Sequence, residues 1–345
     1  MSTIFCLVSR QSMANVLPVL MFKPHQVVLF ATPEEKKSAD NLEKLFSSKS
    51  INVKRVNDLN AYDYVAFKNV VINEIQNYQT DICLNVTGGT KLMALAAYEV
   101  FAEANKRIIY CDTEHQHIIS LMPEYKIENL QADISIEDYL LSYGYHIKET
   151  KDSSLVEKFY PLFEFIISKN LMHEFISLFK EIRERHVDDY PKITVHSKNK
   201  NYIFSKNFDN YSIQYDYRIR RSITIHSSEY KVGDWLEYYV YYILKEKYKL
   251  NPLTGVKIIS EDNVENEIDV LVLKDYKLYN YSCKSGKSDN QYDLFQLETL
   301  RNITSGTFGK GIFVSAKKGS KRFIERALEL GIKTINIENN QESFI

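Results

Sequence analysis

Five short runs rich in β-branched and apolar residues, at residues 3–8, 26–30, 52–56, 81–86 and 107–112, are separated by stretches with helical spacing. Strands that alternate with helices imply βαβ units, and so a parallel sheet covered on both faces in a Rossmann-like domain. No GxGxxG follows the first strand, which leaves NAD binding without its fingerprint. Beyond residue 145 the pattern changes. Residues 155–183 read as amphipathic helix, with Phe159, Leu162, Phe163, Ile166 and Ile167 at helical spacing, in a connecting or dimer-packing region. Residues 191–226 read as short alternating strands. The last part runs helix (234–249), three strands (256–260, 267–273, 278–283), helix (291–304), strand (311–314), helix (321–330) and strand (334–337), a compact α/β module with its own core. The chain therefore divides into residues 1–145, a connector over 146–230 with helical and β segments, and residues 231–345.

A chain of 345 residues with 44% hydrophobic and 26% charged positions is ordered and large enough for two domains. Its formal net charge of −1 says nothing for or against nucleic acid, so any basic surface has to be local. Cys6, Cys83, Cys111 and Cys283 lack metal-ligand, redox or disulfide spacing. The apolar run at the amino terminus is too short for a signal peptide, and no stretch approaches a membrane span, so a cytoplasmic protein is expected. Within residues 191–226, Lys192, Lys198, Lys200, Lys206, Arg218, Arg220 and Arg221 are interleaved with Tyr202, Phe204, Tyr211, Tyr215 and Tyr217. Such a band suits either a nucleic-acid contact or a solvated antiparallel sheet.

The run NVTGGTK at residues 85–91 follows a buried strand and opens a helix. Gly88 and Gly89 allow close backbone approach to an anion, Thr90 is placed to cap the helix, and Lys91 adds a point charge beside the positive end of the helix dipole. The glycine spacing of a P-loop is absent, so NTP hydrolysis is not implied. Together with Leu7-Val-Ser-Arg-Gln11 and Asn15-Val-Leu-Pro18, this loop resembles the CARF domain of type III CRISPR ancillary proteins. The resemblance implies a pocket across a twofold dimer axis that takes a ring-shaped oligoadenylate, with tetra-adenylate the expected ring. Its ligand-contacting residues would be Ser9, Gln11, Thr87, Gly88, Gly89, Thr90 and Lys91. A symmetric ring implies a homodimer.

In the last part, Asp269 and Lys284 fall on adjacent strands of a hairpin and on facing positions. Phosphodiester hydrolysis needs such groups: a carboxylate to hold a divalent cation, and an ammonium to steer water and offset charge. An ion pair on a hairpin surface has the same pattern. Glu237, however, is the one charge in the apolar run 235–244, where a carboxylate is costly unless paired or metal-bound. This part is similar to the PD-(D/E)xK, restriction-endonuclease-like nuclease domains fused to CARF sensors. The likeness implies Glu237 and Asp269 as ligands of Mg2+ or Mn2+ and Lys284 as the catalytic lysine. The family motif has an acid two residues before the lysine, where this chain has Ser282. The main-chain carbonyl of Cys283 could complete the metal shell, and Glu267, Glu298 or, for water, Gln296 could compensate. Cys283 alternates to the strand face opposite Lys284 and has no His–Asp partners, which argues against a nucleophilic thiol. The turns Lys284-Ser-Gly-Lys287 and Thr307-Phe-Gly-Lys310 suit phosphate contacts or plain turn chemistry.

These readings combine into a cyclic-oligoadenylate-activated, metal-dependent nuclease that cleaves DNA or RNA without sequence readout. The departure at Ser282 leaves open a ligand-responsive nucleic-acid binder, and the sensor loop leaves open a ring nuclease that destroys its own ligand.

Overall fold

The computed structural model describes residues 2–79, 81–184, 192–196, 202–207, 210–215, 219–224, 233–286, 289–339 and 343–345. Strands β1 (Thr3–Leu7), β2 (Gln26–Phe30), β3 (Asn52–Val56), β4 (Ile82–Asn85) and β5 (Arg107–Asp112) alternate with helices α1 (Met13–Phe22), α2 (Lys36–Ser48), α3 (Tyr64–Ile75) and α4 (Lys91–Glu103). They pair in parallel in the order β3-β2-β1-β4-β5, as crossovers through helices require. Alternate strand residues feed two cores. Ile4, Cys6, Val27 and Leu29 face α1 and α2, whereas Phe5, Leu7, Val28 and Phe30 pack on Phe67 and Val71 of α3 and Met93, Ala97 and Phe101 of α4.

The sheet is mixed, not wholly parallel. A tight turn, with Gln116 at φ 58, sends β6 (His117–Met122) back antiparallel to β5, and β7 (Lys126–Asn129) pairs antiparallel with β6. A turn of this length forms a hairpin without a crossover helix, which is why these strands escape a βαβ reading.

Helix α5 (Ile136–Ser142), closed by a capping box between Ser135 and Asp138, leads directly into β8 (Tyr145–Glu149). Strand β8 does not return to the first sheet. It is the edge of a second, six-stranded sheet with β13 (Leu253–Ser260), β14 (Glu265–Lys274), β15 (Lys277–Lys284), β16 (Lys310–Ser315) and β17 (Ile332–Asn336). Pairing is antiparallel from β8 to β15 and parallel from β15 to β17.

The stretch expected as one amphipathic helix is three: α6 (Ser153–Glu157), α7 (Tyr160–Lys169) and α8 (Met172–Glu184). Pro161 sits in the first turn of α7, and Asn170 ends that helix in the left-handed conformation at φ 53. Their apolar faces pack on α9 (Trp235–Tyr242), with Phe159 against Tyr238, Phe163 against Tyr239, and Phe175 and Phe179 against Trp235. The region is thus part of the core beneath one face of the second sheet. Strands β9 (Lys192–His196), β10 (Tyr202–Asn207), β11 (Asn210–Tyr215) and β12 (Ile219–Thr224) form an antiparallel sheet beside α7 and α8. Lys198, Lys200, Tyr217 and Arg218 of the basic and aromatic band lie outside the described residues, as do the side chains of Lys192, Tyr202, Phe204, Lys206, Tyr211, Tyr215, Arg220 and Arg221.

Helices α10 (Gln291–Ser305) and α11 (Lys321–Glu329) complete the second half. Its other face merges with the first half: Ile258, Ile268, Leu271 and Leu278 are buried in one cluster with Ile118, Leu130, Ile136 and Tyr139, and Leu300 of α10 joins them. Lys277 pairs with Glu114 at 3.0 Å across this junction, and Tyr276 Oη accepts from Ala132 N–H at 3.0 Å. No helix among the described residues is long and apolar enough to cross a membrane. Because Ile258 is fully buried in this shared core, Ile258→Ala is expected to cost about 2–5 kcal/mol. Unfolding followed by Trp235 fluorescence and by far-ultraviolet circular dichroism should shift together; separate transitions would show that the two halves fold independently.

Candidate functional site

Two places gather the residues singled out above. At the carboxyl ends of the first sheet's parallel strands, a cavity of about 490 Å³ is lined by Ser9, Gly89 and Thr90 together with Arg10, Thr32, Glu35, Tyr62 and Met93. Thr90 caps α4: its hydroxyl accepts Met93 N–H at 3.2 Å and donates to Ala61 O at 2.9 Å. Lys91 begins α4 and is exposed. Gly89 takes φ 71, which favours glycine.

The other loop residues are committed elsewhere. Gly88 is buried, and a Cβ there would overlap the carbonyl oxygen of Leu7. Thr87 donates its hydroxyl to Asn85 Oδ1 at 2.6 Å and accepts Cys111 N–H at 2.7 Å. Asn85, in turn, donates to Asn15 Oδ1 at 2.9 Å, and Asn15 donates to Leu7 O at 2.8 Å, all within the protein. Gln11 turns to the second half, where its Oε1 accepts Thr307 N–H at 3.2 Å beside Gly306. Sequence reasoning missed Arg10, Thr32 and Tyr62; the 79% exposure of Tyr62 above a cavity carries no sequence signal.

The second place lies where β14 and β15 part. Their ladder ends at Val270–Tyr281, and beyond it the Asp269 carboxylate takes the Cys283 N–H at 2.6 Å in place of a strand carbonyl. Face alternation also breaks here, since Ile268 and Val270 enter different cores. A cleft of about 170 Å³ opens at this point, lined by Glu267, Asp269, Ser282, Lys284, Asp293 and Gln296. Lys284 lies 3.5 Å from Asp293 of α10. Glu237 arrives from α9, the one charge on a helix whose neighbours are buried, and its Oε2 accepts from Lys151 Nζ at 2.8 Å. Lys151 also donates to Asp234 Oδ2 at 3.1 Å.

Electrostatics tie these groups together. Burial, and then the charge of Asp269, push the Glu237 carboxyl up to about 7 against the pull of Lys151. Burial raises Asp269 above its ordinary value, while the Cys283 N–H and Lys284 work the other way. Burial opposes the charge on Lys151, yet Glu237 and Asp234 hold its ammonium protonated beyond the usual lysine range. Asp269 is thus coupled to both Glu237 and Lys284, but the amine that touches Glu237 is Lys151. Nothing in the local sequence marks Lys151, because its partners lie more than 80 residues on. Cys283 is buried, and burial with the nearby Asp269 and Glu237 charges keeps its thiol protonated.

Glu267 lines the cleft, whereas Glu298 is not among its lining residues. Lys287 lies outside the described residues. The turn at 307–310 is not next to Lys284. In the parallel register Lys310 faces Tyr279 and Ser315 faces Lys284, so the turn sits at the opposite strand end, at the junction with the first half.

The cleft's chemistry suits a hard divalent cation. Asp269 and Glu237, both half-buried, raise the cost of each other's charge, and the Lys151 ammonium pairs with Glu237, although neither Glu237 nor Lys151 is among the residues lining the cleft. Among the described residues no three Asp, Glu, His or Cys side chains gather as a metal cage. A pair of carboxylates with water is what Mg2+ commonly takes from protein, since it keeps much of its hydration.

Residues 3–139 match the family described as Card1 CARF domain, and residues 226–342 match the Card1-like endonuclease domain. No curated protein matches the chain significantly. Among solved structures it is similar to Can2 from Sulfobacillus thermosulfidooxidans in complex with cyclic tetra-adenylate, at 23% identity and TM-score 0.77, covering 99% of this chain and 97% of that one. It is similar to protein VC1899 from Vibrio cholerae, at 20% identity and TM-score 0.74 over 97% and 94% of the two chains. A type III CRISPR defence DNA nuclease activated by cyclic oligoadenylate aligns at 16% identity and TM-score 0.61, over 98% of this chain and 51% of that one.

The raised Glu237 carboxyl gives the metal-free protein a defined pH dependence. Folding favours its protonated form, so its stability contribution is full below the unfolded carboxyl value, about 4.3, and is lost as pH rises through about 7. With chelator present, stability is expected to fall by on the order of 2 kcal/mol between about pH 5 and about pH 8. Glu237→Gln should flatten that fall in thermal unfolding, and equal slopes would remove Glu237 as its source.

Proposed function

We propose that this chain, which joins a CARF domain of the Card1 family to a Card1-like endonuclease domain, is a cytoplasmic, cyclic-oligoadenylate-activated nuclease that uses Mg2+ or Mn2+ to cleave nucleic acid in type III CRISPR defence. The observation that carries the reading is the half-buried Asp269 carboxylate at the parting of two strands, which feels the charges of Glu237 and Lys284, in a chain that also carries the sensor loop. The sensor spans residues 1–145 and the nuclease domain 231–345, with the intervening residues 146–230 packed into the second half through β8 and α6–α8.

In the proposed reaction, Asp269 and Glu237 are the side chains that hold the metal ion, with the Cys283 carbonyl as a third oxygen donor. When bound there, the ion supplies an activated water and offsets charge on the scissile phosphate. Lys284, held beside Asp293, steers that water and neutralises the developing phosphorane charge. Glu267 at the cleft wall stands near the place where the family motif has its second acid and this chain has Ser282.

At the other end of the molecule, the cavity with Ser9, Gly89 and Thr90 takes the ring activator, cyclic tetra-adenylate. Lys91 adds charge, and Thr87 and Gly88 shape the loop from beneath. Leu92, Leu95 and Tyr98 of α4 remain exposed, as do Tyr62 and Val65, and this apolar surface supports a homodimer around a symmetric ring. Activation requires that the ring bind the active arrangement more tightly than the resting one.

Ser282 in the cleft favours one second reading, a ligand-responsive protein that binds nucleic acid without cutting it. Cleavage of labelled DNA and RNA, with Mg2+ or Mn2+ and with or without cyclic tetra-adenylate, separates the two. Asp269→Ala and Lys284→Ala are expected to lower activated cleavage by at least about 100-fold, with ring binding measured in chelator unchanged. Lys91→Ala should weaken ring binding itself. Binding without cleavage in every form would establish the second reading.

A further inference from the structure

Lys151 is held by several contacts. Its main-chain N–H donates to Thr254 O at 2.9 Å, and its stem runs over Gly255, which takes φ 55 and where a Cβ would come within 2.5 Å of Lys151 Cγ. The ammonium lies between Glu237 and Asp234, and 5.7 Å from the centre of the Tyr238 ring. An exposed surface pair is not built this way: Glu237 and Asp234 keep only 14% and 13% of their side-chain surface, and the backbone beneath has been left free of a side chain. The lysine is held where it neutralises the same carboxylate that the reaction needs for its metal ion.

Its place in the chain gives the arrangement a second property. Lys151 comes two residues after β8, the edge strand joined to the sensor's α5 through Tyr143 and Gly144. Helix α5 packs on α1 and α2 of the sensor. The pairing of β8 with β13 is irregular between Lys257 and Ile258, so the ladder is locally disrupted and bent on the way to Lys151. Little slack separates the sensor from the ammonium.

We propose that Lys151 is a positioning residue that acts as an internal counter-cation: it holds Glu237 in the resting protein, a divalent ion must displace it, and activator binding in the sensor draws it away through β8. The inference rests on the nuclease reading above for the identity of metal and activator. Coupling through one displaced group is reciprocal, so the activator tightens metal binding and the metal tightens activator binding by the same factor. Lys151 contacts no reacting atom in this scheme; it acts through Glu237.

Mn2+ binding to the full-length protein, followed by electron paramagnetic resonance without nucleic acid, tests the idea apart from cleavage. In the wild type, saturating cyclic tetra-adenylate is expected to tighten Mn2+ binding by at least about fivefold. Lys151→Met should bind Mn2+ tightly without the activator and lose the coupling, and Lys151→Arg should restore it. Equal Mn2+ affinity in the wild type with and without activator overturns the proposal even if Lys151→Met fails to fold, and so does coupling that persists in a folded Lys151→Met. Absence of cleavage in a protein that shows this coupling would instead count against the nuclease reading alone.

Discussion

A half-buried carboxylate where two strands separate is the constraint around which the second half is organised. Once the β14–β15 ladder stops at Val270–Tyr281, the Cys283 N–H loses a strand partner, and an unmet buried donor costs about 1–3 kcal/mol. Asp269 meets it, at the cost of placing a negative charge partly away from water. Every neighbouring feature answers that charge or shares it: Lys284 from the α10 side, Lys151 from the sensor side, and Glu237, whose own proton affinity rises because Asp269 is there. Two like charges and a paired ammonium thus meet in one place, and they do so through strand geometry more than through the number of acids.

The sensor half follows a different logic. Its loop is fixed from below by a buried polar chain through Asn15, Asn85 and Thr87, and by the close approach of Gly88 to Leu7. A fully satisfied buried network of this sort rigidifies the backbone it supports. Ser9 and Arg10 are then presented to the cavity, while the next residue, Gln11, reaches Thr307 just after α10. The same short loop thus touches the sensor cavity and the carboxyl end of α10, at the far end of that helix from Asp293.

What could be read from the sequence depended on whether the signal was local. The five parallel strands were legible from alternation of short apolar runs with helices, and Glu237 from a lone charge in an apolar helix. The β6–β7 hairpin was not, because strands of four to six residues joined by tight turns resemble the loops between larger elements. Thr87 and Gly88 have the composition of ligand-binding residues, yet composition does not distinguish a polar group facing a pocket from one satisfying its own backbone. The place of Lys310 depended on the register of a parallel pair, which no spacing rule supplies. Lys151 depended on a crossing of the chain from one half into the other, and only three dimensions contain that fact.

The cluster that mixes Ile118, Leu130, Ile136 and Tyr139 with Ile258, Ile268, Leu271, Leu278 and Leu300 has a bearing on safety in the cell. Were a protease to clip the chain just after β8, the carboxyl-terminal fragment would lose its edge strand and present the apolar surface of the shared cluster to solvent, a state prone to aggregation and degradation. The second half is therefore built to stay joined to the first.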